Sequence, residues 1–215
     1  MSAKPDKSSF PRTLLGYENI NRFWDTKEER INAKILPGEI YVSDQGELIS
    51  TVLGSCISVC VRDKSVGIGG MNHFMLPRLK GAAKDSLNIG GDSARYGNWA
   101  MEYLINEILK NGGRRERLEI KVFGGGQVLS EMEFMDVGQA NIDFVFSYLM
   151  QENLSVETHD VGGCHPRKVQ FFTDSGIVRI KRFRRKNNNT VNTREKDYAE
   201  KLNVSPRAGD ITLFD

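Results

Sequence analysis

TVLGSCISVCV, residues 51–61, carries a break in its middle at Gly54-Ser55. Glycine adopts backbone conformations that other residues resist, so Gly54 can turn the chain there. From Cys56 onward the period is two: Cys56, Ser58 and Cys60 share one face of a strand, and Ile57, Val59 and Val61 share the other. The Ile/Val face is the core side. The opposite face holds only small, weakly polar groups, which suits either close packing or a shallow site. A turn just before the cysteine can also aim backbone N–H groups at an incoming carbonyl.

Working outward, LPGEIYVSDQGELISTVLG gives two short strands around a turn at Gln45-Gly46, and GIGGMNHFMLP a further strand, ended by Pro77. Upstream, Leu14, Tyr17, Ile20, Phe23 and Trp24 form a rough helical stripe, which predicts a helix near 16–33. Downstream, RLKGAAKDSLNIGGDSARY is small and polar and reads as a loop. Trp99, Met101, Leu104, Ile105 and Ile108 then recur at helical spacing, with Gly112 as the C-terminal cap. LEIKVFGGG is an alternating strand running into three glycines, and DVGQANIDFVFSYLMQENL is a second amphipathic helix. VETHDVGG and KVQFFTDSGIVRIKRF read as closing strands, the latter a hairpin turning at Asp174-Ser175-Gly176. This order predicts an α+β fold with a mixed β-sheet core and helices mainly on one face. Three segments are expected: a polar stretch and helix over 1–34, the main domain over 35–186, and a flexible tail over 187–215.

The composition excludes several classes. The 215 residues include 39% hydrophobic and 27% charged side chains, an ordinary globular balance. Thirty basic against 28 acidic residues leave a formal charge of +2, which does not mark a nucleic-acid binder. No apolar run approaches the ~20 residues that span a bilayer, and MSAKPDKSSFPRTLLG lacks the apolar stretch of a secretory signal. Cys56, Cys60 and Cys164 are odd in number and irregularly spaced, which argues for a reducing, cytoplasmic setting rather than a disulfide framework.

A nucleophilic cysteine needs a base, because a free thiol titrates near ~8.5. Of the three histidines, His73 lies in the strand pattern that follows the Cys56 strand across a short turn, so pairing of the two strands can bring the side chains together. His159 sits among polar residues, and His165 adjoins Cys164 in a Gly/Pro-rich loop. Ser50 and Thr51 both offer a hydroxyl to orient the imidazole, and parity along a strand broken at Gly54 does not choose between them. Spacing C-x₃-C along a strand matches no usual zinc pattern, and FGGGQ lacks the Lys-Ser/Thr of a phosphate loop. RIKRFRRK reads as an edge strand with solvated charges.

TVLGSCISVCVRD followed by GIGGMNHFMLP resembles the CheD family, the chemoreceptor glutamine deamidases. NRFWD, KILPGEIYV, RYGNWAMEYLINEILKNGG, KVFGGGQVL, VGQANIDFV and PRKVQFFTDSGIVRIKR match in order over roughly residues 17–185, and the portion with NRFWD is similar to the versions from Gram-negative bacteria. The resemblance implies an α/β/β layered fold like that of cysteine deamidase toxins. It also implies hydrolysis of particular glutamine side chains to glutamate on methyl-accepting chemotaxis receptors, through a thioester. Cys56 matches the family nucleophile and His73 the base. Thr51 is the favoured third member, with Ser50 the alternative, because TVLGSC is one residue shorter than the run in some members. Backbone donors at Gly54 and Ser55 would stabilise the oxyanion. No cofactor and no metal are implied. The substrates would be the receptors, a CheC-type phosphatase is a further partner within the family, and neither nucleic acid nor membrane insertion is expected. Two other functions fit the same residues: a regulatory binding module for such a phosphatase, and a receptor glutamate methylesterase.

Overall fold

The computed structural model describes residues 5–76, 92–128, 135–183 and 189–204. Two five-stranded sheets form among these residues. One has the order β1-β2-β4-β9-β10, with β1 Asn21–Asp25, β2 Arg30–Lys34, β4 Leu48–Leu53, β9 Arg167–Phe172 and β10 Val178–Arg182. The other has the order β3-β6-β5-β7-β8, with β3 Ile40–Ser43, β6 Ile68–Asn72, β5 Ile57–Asp63, β7 Leu118–Gly124 and β8 Val156–Val161. Both sheets are mixed: β2 runs parallel to β4, and β7 parallel to β8, while the other pairs are antiparallel.

The chain changes sheet at Gly54-Ser55-Cys56. β4 ends at Leu53 in the first sheet and β5 starts at Ile57 in the second. β5 is buried along its whole length because both of its faces are covered. Val61 lies opposite Gly70 of β6, and a Cβ at Gly70 would meet Leu104 of α1 (Asp92–Lys110). The Ile57/Val59/Val61 face therefore packs on the helices. Arg62, on the opposite face, reaches the Asp174 carbonyl at the β9–β10 turn, and Lys121 reaches the Gly176 carbonyl there. The Cys56/Ser58/Cys60 face is thus sealed against the other sheet. With α1 and α2 (Met135–Gln151) on one side, the layers are helix, sheet, sheet, the α+β arrangement expected.

Two expectations need correction. Residues 16–33 do not form a helix: β1 and β2 are an antiparallel hairpin that joins the first sheet. Asp25 decides this, because its carboxylate accepts the N–H groups of Lys27 and Glu28 and a bond from the Asn32 side chain. Such local side-chain-to-backbone bonds compete with helix formation, and Glu29 completes the turn at φ 48°. The stretch expected as a flexible tail contains a third helix, α3, over Asn189–Val204. Glu195, Tyr198, Ala199 and Leu202 recur on one face of it, and the last three pack against the core. Residues 205–215 of the expected tail and most of the loop expected after Pro77 lie outside the described residues.

Candidate active site

Cys56 and His73 come together through the β5–β6 pairing. Ile57 and Phe74 exchange both backbone hydrogen bonds, at 2.9 and 3.0 Å. That register sets His73 on the same face as Cys56, one diagonal step along the ladder. His73 is fixed at both ends of its peptide, its N–H on the Glu39 carbonyl and its carbonyl on the Gly38 N–H.

Thr51 faces it from the other sheet. Thr51 Oγ1 donates to the Ile35 carbonyl at 2.8 Å and lies 2.7 Å from His73 Nδ1. A hydroxyl has one proton, and here it is committed to Ile35, so Nδ1 carries the hydrogen of that second bond. The other ring nitrogen, Nε2, is then the bare, basic one, and it is buried with no partner among the described residues. Ser50 is turned elsewhere, donating to Asn32 Oδ1 at 2.7 Å. His159, Cys164 and His165 line a separate surface pocket.

The turn before Cys56 forms a cradle of N–H groups, and Glu195 of α3 fills it. Gly54 N donates to Oε1 at 2.7 Å and Cys56 N to the same oxygen at 3.2 Å. Ser55 N and Ser55 Oγ donate to Oε2 at 2.8 and 2.7 Å. Gly54 is not in the left-handed region, so it serves here by lacking a side chain. A Cβ would sit 2.6 Å from Glu195 Oε2. One donor atom each of Cys56, His73 and Glu195 lie within 4.8 Å of one another. The trio could be read as metal ligands, but both carboxylate oxygens already face N–H and O–H donors. Such a cradle is built to receive negative charge rather than a cation.

Electrostatics agree with a covered, resting site. Burial, followed by the Glu195 carboxylate, raises the Cys56 thiol well above its ordinary value. Burial pushes His73 down to about 3. Thiol and imidazole are therefore both neutral while α3 is docked.

The family model described as CheD chemotactic sensory transduction matches residues 75–182. A protein from Hahella chejuensis is 46% identical over 213 residues, covering 99% of each chain, and is named probable chemoreceptor glutamine deamidase CheD. Proteins of the same name from Saccharophagus degradans (44% identical, 100% of this chain and 98% of the relative) and Halorhodospira halophila (49%, 95% and 94%) are also similar. The chain belongs to the CheD family.

In this CheD-family chain the Cys56 turn is braced by residues that sequence reasoning passed over. Gly125 N and Gly126 N donate to the carbonyls of Cys56 and Gly54, each at 2.7 Å. Gly124, at φ 114°, lies so close that a Cβ would be 2.3 Å from the Cys56 carbonyl oxygen. The glycines of FGGGQ thus serve close approach to the turn. Asn141, fully buried on α2, donates to the Ser55 carbonyl at 2.8 Å and accepts the Leu76 N–H at 2.8 Å. It ties the cysteine turn to the chain just beyond His73. The signal for Asn141 was a polar residue on the inner face of an amphipathic helix. Glu195 offered only a helical spacing within a polar tail. No helix among the described residues is long and apolar enough to cross a membrane.

Proposed function

We propose that this protein is a chemoreceptor glutamine deamidase, with Cys56 as nucleophile, His73 as base and Thr51 orienting the imidazole. The observation that carries the reading is the juxtaposition of Cys56 and His73 beside a cradle of three successive N–H groups. Names borne by relatives of nearly equal length supply the substrate class, glutamine side chains of chemoreceptors.

The geometry supports the following chemistry. Cys56 Sγ attacks the side-chain Cδ of glutamine as its proton passes to His73 Nε2. Thr51 holds the ring in the tautomer that leaves Nε2 free to accept. Negative charge developing on the amide oxygen falls among the N–H groups of Gly54, Ser55 and Cys56. His73 then protonates the leaving nitrogen, which departs as ammonia. Water, deprotonated by the same imidazole, hydrolyses the thioester and leaves glutamate. Every atom is accounted for by glutamine, water and the two side chains.

The test is a mass-spectrometric digest of a receptor cytoplasmic fragment after incubation with wild type and with Cys56→Ala. Deamidation replaces a side-chain NH₂ by OH on a glutamine peptide, whereas methylesterase activity removes a methyl group from an esterified one. Conversion of glutamine by wild type alone supports the proposal. Equal conversion by Cys56→Ala, or loss of methyl groups only, refutes it.

A further inference from the structure

We propose that α3 occupies the substrate site of this enzyme, with Glu195 in the position of the product glutamate, so that a receptor glutamine reaches Cys56 only by displacing α3. The inference rests on the deamidase reading for what the site binds, and on separate geometry for how it is covered.

Glutamate is the product of glutamine deamidation and has the same chain length as the substrate. Glu195 sits beside Cys56 and His73 with both oxygens in the N–H cradle. The contact spans about 140 residues of sequence, so it is a tertiary docking event and not a local turn. The cradle also discriminates. Oε1 receives two N–H groups, and Oε2 receives the Ser55 N–H and hydroxyl. A carboxylate can accept all four. A carboxamide would set its NH₂ against the Ser55 N–H, which cannot accept. A carboxylate is therefore held by all four donors and a carboxamide by fewer, so glutamine at this position still reaches Cys56 but is held less firmly than glutamate.

The rest of α3 is seated by one face. Tyr198 lies over Gly38, where a Cβ would come within 3.0 Å of its ring, and its hydroxyl bonds the Tyr96 hydroxyl of α1. Ala199 and Leu202 extend the contact to the core. With α3 in place, Cys56 and His73 are 0% and 1% exposed, which leaves no route for a substrate side chain. The occupant presents a Glu side chain to the cysteine from a helix of the same chain. A competing internal occupant lowers apparent substrate affinity by the fraction of time the site is free.

The experiment has two readouts on the full chain. The first is alkylation of Cys56 by iodoacetamide, with exposed Cys164 as internal reference. Glu195→Ala and Tyr198→Ala are each expected to raise the Cys56 rate at least about tenfold while Cys164 is unchanged, as the open fraction grows. Unchanged Cys56 alkylation in both variants overturns the proposal. The second readout is the identity of the side chain found at position 195 in purified Glu195→Gln. Cys56 attacks Cδ of the introduced glutamine, His73 protonates the departing ammonia and water cleaves the thioester, restoring glutamate. The double variant Glu195→Gln, Cys56→Ala is expected to keep glutamine. Persistence of glutamine in the single variant, in a preparation that deamidates a receptor fragment, overturns the product position assigned to Glu195. Exposed Cys56 with no receptor turnover in any variant overturns the deamidase reading instead, and the substrate half of this proposal with it.

Discussion

Thr51 and His73 are held together across the two sheets, with the threonine proton on the Ile35 carbonyl and its oxygen 2.7 Å from Nδ1. One consequence is a contrast between neighbouring hydroxyls. Thr51→Val keeps the side-chain shape and removes the orienting bond. At ~1 kcal/mol per bond, with two bonds lost, kcat on a receptor fragment is expected to fall about tenfold or more. Ser50→Ala loses only its bond to Asn32, so it should cost ~1 kcal/mol in urea unfolding and leave kcat near wild type. Equal loss of kcat in both variants would remove Thr51 from its assigned place.

The cysteines should separate cleanly. Cys56→Ala is expected to abolish deamidation while the chain still folds. Cys164→Ala, at an exposed position, should behave as wild type. Cys60→Ala deletes a small buried group against the opposite sheet and should lower stability by ~1 kcal/mol while activity persists. Residual turnover in Cys56→Ala comparable to that of Cys60→Ala would be incompatible with the mechanism.

Asn141 offers a test of positioning. Asn141→Leu leaves the Leu76 N–H and the Ser55 carbonyl buried and unpaired, each costing ~1–3 kcal/mol. Stability should drop by a few kcal/mol. In the fraction that remains folded, kcat should fall more than KM rises, because the cradle shifts relative to Cys56. An unchanged kcat would make Asn141 a purely structural residue.

Acid sensitivity follows from His73. Its folded pKa lies near 3, below the ordinary value of 6.5. The unfolded chain therefore binds a proton that the folded chain refuses. The stability this provides is complete above pH 6.5 and is lost as pH falls toward 3, at up to ~1.4 kcal/mol per pH unit. Between pH 6.5 and 5, above the range where depressed carboxylates such as Asp25 and Asp63 titrate, His73→Gln should unfold with a flatter pH dependence than wild type. Parallel slopes in urea titrations would contradict the buried, neutral imidazole.

Gly124→Ala should be severe. The new Cβ would fall 2.3 Å from the Cys56 carbonyl oxygen, at a φ of 114° that side chains resist. A loss of several kcal/mol, or failure to fold, is expected. Gly67→Ala, at φ 71° with open space around it, should cost only the backbone strain of ~1 kcal/mol. Similar melting temperatures for the two variants would show that the close approach is not rigid.

Much of this was legible in sequence where local pattern and tertiary context agree. Alternation in residues 57–63, the Gly112 cap and the Asp174-Ser175-Gly176 turn each declare themselves within a few residues. Cys56 and His73 were readable because a short turn joins their strands. The failures share one cause. In β1–β2 the helical stripe was outweighed by Asp25 bonding to its own backbone, and α3 is too polar to be read as an element before its partner surface is known. Glu195 and Asn141 act on Cys56 from far along the chain, and no local pattern encodes a contact of that span.

Thr51, Cys56 and His73 all fall between β4 and the residue just after β6, a stretch with two short connections. Their assembly is therefore a low-contact-order event, entropically cheap to close. The groups that brace and cover them arrive from β7, α2 and α3. During synthesis Thr51, Cys56 and His73 leave the ribosome well before α3, so a chain whose sheets pack before α3 is made would hold the Cys56 thiol uncovered. Order of emergence thus makes α3 the last of the described elements to reach Cys56.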